Sequence, residues 1–319
     1  MTKEDYAKKA YQWAKALKLL DPSIELVLCG ETGHSAWDFH VLKNCVKFDT
    51  HSLGGDTTAS LIAMHSIHIY TASKDNIQNA LAPLSAERAI QICGGLIDLA
   101  RIENGVPAAV PRQTICFDEW NVWDPVRAPG DKGAEELYTL SDALAVAVWL
   151  NVFVRQSKYM GMANIAQSVN VISPLMTTKN GLVKQTPWWP LLLFSKYMRG
   201  WTVNSHVSCP SYEGETQPQW IRAAVDTPWL DVSAVLGDDG TVSLSVVNVN
   251  DKEDFATELE GVKPSSAGGG VTVYTVTGKD WQVVNTADKE EVGLKESQWD
   301  GKGKFTFPRM SMTMLRWKP

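Results

Sequence analysis

No apolar run in this chain approaches the roughly 20 residues that a membrane-spanning helix needs. The longest, around residues 143–154 and 191–194, read as buried helices, so a membrane is not an expected partner. A basic excess is lacking too. Thirty Lys and Arg against 36 Asp and Glu leave a formal charge of −6 over 319 residues, with no basic stripe, which argues against a nucleic-acid ligand. Cysteine is scarce: Cys29, Cys45, Cys93, Cys116 and Cys209 are odd in number, scattered and without C-x-x-C spacing. That pattern signals neither a disulfide framework nor a zinc site, and it mildly favours a reducing, cytoplasmic setting. The six histidines form no ligand cluster either. His65 and His68 lie three apart in "SLIAMHSIHIY", which turns from helix-like to strand-like; they read as core or capping residues, and no metal or other cofactor is expected. The opening "MTKEDYAKKAYQWAKALKLLDP" lacks the basic, apolar and small-residue order of a signal peptide.

What is present is enough apolar material, 44% of residues with only 21% charged, to fill two domains. The chain opens on a helix. Thr2 can cap it with Asp5 three positions on, Tyr6, Ala10, Trp13, Leu17 and Leu20 recur on one face, and Pro22 follows its end. Strands and helices then alternate. Strands are expected at 24–30, 66–70, 114–117 and 162–171, and helices at 86–102, 140–159 (capped by Thr139 or Ser141) and 187–200. Strict alternation with strands apolar on both faces means a parallel sheet. Past about residue 205 helical periods cease. Residues 230–250 form two alternating runs joined across Asp238, Asp239 and Gly240, a hairpin signal, and 270–276 and 311–317 are further strands. The expected division is 1–205 for an α/β domain and 206–319 for an antiparallel β-sandwich, with the loop 209–219 at the junction.

The segment "RQTICFDEWNVWDP" (112–125) carries the chemistry. A short apolar strand meets two adjacent acids and two indoles, after which Pro125 opposes simple continuation. In parallel α/β barrels reactive groups sit at the C-terminal ends of strands. Glu119 has that position, and so do Glu31, His68 with Tyr70, and Gln167 on the other strands. Glycoside hydrolysis suits the set, because sugars stack on indoles and an oxocarbenium-like transition state calls for paired carboxylates. Adjacent strand residues face opposite ways, so one acid is expected to aim inward. Glu119 is taken as that acid, and Asp118 as a helix cap or a partner of Arg112 or Arg127. Glu31 reads as a turn-capping residue.

"FDEWNVW", "SIHIY", "ANIAQSVNV", "LVLCG" and the opening helix resemble glycoside hydrolase family 51, the retaining α-L-arabinofuranosidases, and its fungal members most of all. The resemblance covers essentially the whole chain. It implies an α/β plus all-β fold, a (β/α)8 TIM barrel followed by a jelly-roll-like β-sandwich. It implies Glu119 as nucleophile, Tyr70 as its hydrogen-bond partner, His68 as the active-site histidine, Gln167 as a sugar contact and Trp123 as the indole bordering the leaving group. The substrates implied are arabinofuranosyl oligo- or polysaccharides of hemicellulose and pectin side chains, in L-arabinose metabolism; a homo-oligomer is left open. One departure counts against a complete enzyme. The family's acid/base glutamate sits in an Asn-Glu pair before the helix that opens this chain, and no such pair occurs here. The chain is therefore expected to hold only the second half of the barrel, strands five to eight, as a fragment, a truncated gene product or a degenerate paralogue. The alternative function is a non-catalytic carbohydrate-binding remnant.

Overall fold

The computed structural model describes residues 1–49, 51, 53–124, 135–264 and 270–319. Pro125 and Arg127, invoked above as a strand stop and an ion-pair partner, lie outside the described residues. The chain divides into two compact units. One comprises Met1–Ile69, Glu87–Trp120 and Gln156–Ile165, the other Tyr70–Ala86, Asn121–Arg155 and Ala166–Pro319.

The first unit begins with α1 (Lys3–Leu20), whose Thr2 cap accepts a hydrogen bond from the Asp5 backbone N–H, as the sequence suggests. Its buried stripe differs from the expected one. Ala7, Ala14 and Lys18 are covered, whereas Trp13 is 69% and Leu20 84% exposed and Leu17 also lies open. The periodicity identifies a helix but cannot say which of two adjoining faces has a partner. After α1 come β1 (Val27–Leu28), α2 (Ala36–Cys45) and β2 (Met64–Thr71). The sequence reading missed α2, which opens on a full capping box: Ser35 accepts from the backbone of Asp38, and Asp38 accepts from the backbone of Ser35. The helix α3 (Asn76–Leu81) precedes α4 (Leu84–Glu103), β3 (Thr114–Val122), α5 (Leu140–Arg155) and β4 (Met160–Ile165).

β1, β2, β3 and β4 form one sheet in that order. β1 pairs with β2, and β3 with β4, in parallel. The bonds Thr114 N to Ala63 O and Trp123 N to Thr71 O advance together along both chains, so β2 and β3 are parallel as well. The strand expected to end at Phe117 instead runs on through both acids to Val122.

In the second unit, β5 (Leu175–Thr178) and β6 (Gly181–Lys184) make a small hairpin before α6 (Trp188–Tyr197). β7 (Trp201–Val203), β8 (Leu230–Leu236), β9 (Val242–Asn248), β10 (Phe255–Glu258), β11 (Val271–Thr277), β12 (Gly293–Trp299), β13 (Lys304–Phe307) and β14 (Ser311–Trp317) follow. They build a six-stranded antiparallel sheet, ordered β12-β11-β14-β9-β8-β7, and a β10-β13 pair. The β8-β9 hairpin turns where Gly240 takes a φ of 76°, a conformation glycine adopts without steric cost. Leu230, Val246, Val271, Val273, Phe307, Leu315 and Trp317 form the core of this sheet assembly. On α5, Asn151 is buried and donates to the Asp231 carboxylate, which also pairs with Arg155 at 2.9 Å. This network ties α5 to β8.

Candidate active site

Three adjacent strands of the first unit bring polar groups to their C-terminal ends. β1 and β2 are in register with Leu28 opposite His65, so Glu31, three residues on, comes level with His68. The His68 backbone N–H donates to the Glu31 carbonyl at 2.9 Å. Beneath them lies a dry hydrogen-bonded pair. Asp38 Oδ1 stands 2.9 Å from His65 Nε2, both side chains having no exposed surface. The same carboxylate accepts from the Glu31 N–H at 2.8 Å and from the Ser35 N–H and Oγ at 3.0 and 2.8 Å. Burial, the largest influence, pushes its pKa up; the His65 hydrogen bond and charge, with the Ser35 and Glu31 N–H groups, outweigh it and hold the carboxyl at about 2. A Cβ on Gly30 would collide with the Ser66 carbonyl and the His65 ring, so glycine is needed where backbone crosses this pair. The core reading of His65 therefore holds.

β3 carries the two acids on a register slip. The three steps from Phe117 to Trp120 are matched by two steps on β4, from Ala163 to Ile165. Such a slip locally suspends alternation. Phe117 and Trp120 are buried, while Asp118 is half-exposed and Glu119 exposed between them. Both acids thus keep some exposed surface, Glu119 the more. Of the partners expected for Asp118, Arg112 is occupied by Asp98 at 2.6 Å and Arg127 lies outside the described residues; among the described residues, Asp118 Oδ1 lies 3.7 Å from His68 Nδ1.

In the second unit Tyr70 and Trp123 meet edge to face, centroids 5.5 Å apart at 74°. The Trp123 N–H donates to the Thr71 carbonyl at 2.9 Å, and the residue is 37% exposed. Gln167 lies two residues past β4, exposed, its N–H donating to Ile172 O at 3.2 Å. The segment that carries it is held by a residue the sequence reading passed over. Asn121, 1% exposed, donates its side-chain amide to Ala166 O at 2.6 Å and to Ile172 O at 2.5 Å, and accepts from the Val122 N–H. Its signal was a lone amide inside an apolar run, "EWNVW". Among the described residues, no group of three or more His, Cys, Asp or Glu is placed to hold a metal ion.

Residues 118–311 match the family model described as the α-L-arabinofuranosidase C-terminal domain. The chain is 65% identical over 318 of its 319 residues to probable α-L-arabinofuranosidase C of Aspergillus fumigatus. The chain belongs to the glycoside hydrolase family 51 α-L-arabinofuranosidases. It is 62% identical over 317 residues to α-L-arabinofuranosidase C of Emericella nidulans. Among solved structures, the thermostable family 51 α-L-arabinofuranosidase of Thermotoga petrophila superposes with a TM-score of 0.79 at 25% identity, covering all of this chain and 63% of its own. The chain spans 62% of the length of both fungal relatives and corresponds to the C-terminal part of the family. In this arabinofuranosidase setting the exposed Glu119 on a mostly buried strand acquires a chemical reading.

Proposed function

We propose that this chain supplies the nucleophile side of a retaining arabinofuranosidase acting on terminal α-L-arabinofuranosyl groups of hemicellulose and pectin side chains. The observation that carries the proposal is the exposed Glu119 at the register slip of β3, within a sequence 65% identical to a fungal α-L-arabinofuranosidase. Glu119 attacks the anomeric carbon as the glycosidic C–O bond breaks, the leaving oxygen taking a proton from a general acid, and the resulting glycosyl ester is displaced by water, which frees arabinose and the Glu119 carboxylate. Tyr70 positions the carboxylate, Trp123 borders the leaving group, and His68 and Gln167 hold the sugar. The four strand-helix units are read as the second half of a (β/α)8 barrel, within 1–205, and 206–319 as a jelly-roll-like sandwich. The parallel pairing within β1 to β4, all before residue 166, and the antiparallel pairing of β8, β9, β11, β12 and β14, all after residue 229, support two differently built parts, with β7 (Trp201–Val203) joining the antiparallel sheet from before residue 205.

The test is covalent trapping with a slow fluorinated arabinofuranoside or a cyclophellitol-type inactivator, followed by peptide mapping. The chain is best trapped joined to the upstream part of a relative that it does not span. Label is expected on Glu119, and Glu119→Ala should remove turnover while sugar binding persists; label on Asp118 or Glu31 overturns the assignment. A second reading for the chain by itself is a non-catalytic carbohydrate-binding remnant, with the partly exposed Trp123 as its sugar surface. Efficient arabinose release from an arabino-oligosaccharide by residues 1–319 alone would exclude that reading.

A further inference from the structure

Asp118 is set beside Glu119 and has no part in the chemistry described so far. Its Oδ1 is shut off from solvent and makes no hydrogen bond, although the side chain as a whole is 42% exposed. An ionised oxygen in that state is costly unless a cationic or N–H group faces it. His68 Nδ1 is that group, 3.7 Å away. The contact is longer than a hydrogen bond, but catalytic hydrogen bonds commonly stand open before a ligand arrives. The other titratable neighbours feel the same carboxylate. Burial pushes up the thiols of Cys29, after β1, and Cys116, on β3, and the charge of Asp118 adds to the effect in both. These two flank the pair as neutral groups. The slip between Phe117 and Trp120 turns Asp118 out together with Glu119, and the backbone bond from His68 to Glu31 fixes the strand from which the imidazole projects.

We propose that Asp118 is a positioning residue for His68. Its carboxylate holds the imidazole in the Nδ1–H tautomer and leaves the Nε2 lone pair as an acceptor for a sugar hydroxyl. A carboxylate can only accept, so it selects an N–H on the nitrogen it faces. This inference rests on the reading of His68 and Glu119 as a sugar site.

Long-range 15N–1H correlation of the imidazoles in the 319-residue chain, at a pH where the ring is neutral, tests it. His68 is assigned by the signal lost in His68→Gln. The wild-type ring is expected to be predominantly Nδ1–H. Asp118→Asn, whose amide can donate to Nδ1, and Asp118→Ala, which offers nothing, should each lower the ratio of Nδ1–H to Nε2–H by about tenfold, the scale of a lost charge-assisted contact. The buried His65 should not change, a pattern that a general structural disturbance would not give. A predominantly Nε2–H ring in the wild type, or an unchanged ratio in either folded variant, overturns the proposal. The wild-type spectrum decides even if both variants fail to fold. Glu119→Ala should leave the tautomer alone while removing turnover in the trapping polypeptide; turnover that survives it would sink the functional reading without touching the tautomer result.

Discussion

Replacing Asp38 by Leu would remove the acceptor on which the ends of β1 and β2 converge. Four donors meet that carboxylate: the Glu31 and Ser35 N–H groups, the Ser35 hydroxyl and His65 Nε2, at 2.8 to 3.0 Å. The hydroxyl can turn elsewhere, but the others are fixed. Orphaning two or three buried donors at about 1 to 3 kcal/mol each puts Asp38→Leu at about 3 to 5 kcal/mol. His65→Leu should cost less, about 1.5 to 3 kcal/mol, because three donors still face the carboxylate. Asp38→Asn keeps the shape and isolates the charge. The carboxyl is held at about 2 against an ordinary 3.8, which corresponds to roughly 2 kcal/mol of folding free energy. The folded-state pKa is depressed, so this contribution is complete above about pH 4 and disappears as pH falls towards 2. Urea unfolding followed by tryptophan fluorescence, at submicromolar protein, would measure all three variants. Asp38→Leu costing under about 1 kcal/mol would refute the reasoning. So would a gap between wild type and Asp38→Asn that fails to shrink between pH 5 and pH 2.

The open face of α1, with Trp13 at 69% and Leu20 at 84% exposure, predicts that residues 1–319 expressed alone self-associate; a monodisperse monomer in sedimentation velocity with a cooperative melt would contradict this. Asn121→Leu strips Ala166 O of its side-chain donor and should destabilise the second unit by about 2 kcal/mol, with faster hydrogen exchange at the Gln167 amide; protection equal to wild type would count against the clamp. In the trapping polypeptide, Tyr70→Phe should lose about 1.5 to 3 kcal/mol of transition-state stabilisation, the scale of one hydrogen bond to a charged group. A kcat/KM equal to that of Glu119→Ala would mean that Tyr70 does more than orient the carboxylate.

Much of the element order could be read from spacing alone, because it rests on local physics. The Thr2 cap, the β8-β9 hairpin at Gly240 and the strand β14 depend on neighbours in sequence, and all three appear where expected. α2 escaped because its ten residues carry a weak apolar period and are held instead by the reciprocal Ser35 and Asp38 cap and by the bond from Asp38 to His65. The second of these links residues 27 positions apart. The buried face of α1 escaped for a related reason. Ala7, Ala14 and Lys18 form a legitimate helical stripe, but small and charged residues rank low when apolar periodicity is scored, and Trp13 and Leu17 outweigh them.

The site shows where a period-two argument stops. Alternation holds only while neighbouring strands advance in step, and between Phe117 and Trp120 they do not. With one extra residue on β3, consecutive acids keep exposed surface in a strand buried on either flank. Nothing in "FDEWNV" declares that slip, because a bulge depends on what the partner strand does. Its consequence is chemical. The slip sets the acid read as nucleophile and the acid beside His68 at successive positions of one strand, so the two proposed roles depend on a backbone irregularity and not on either side chain alone.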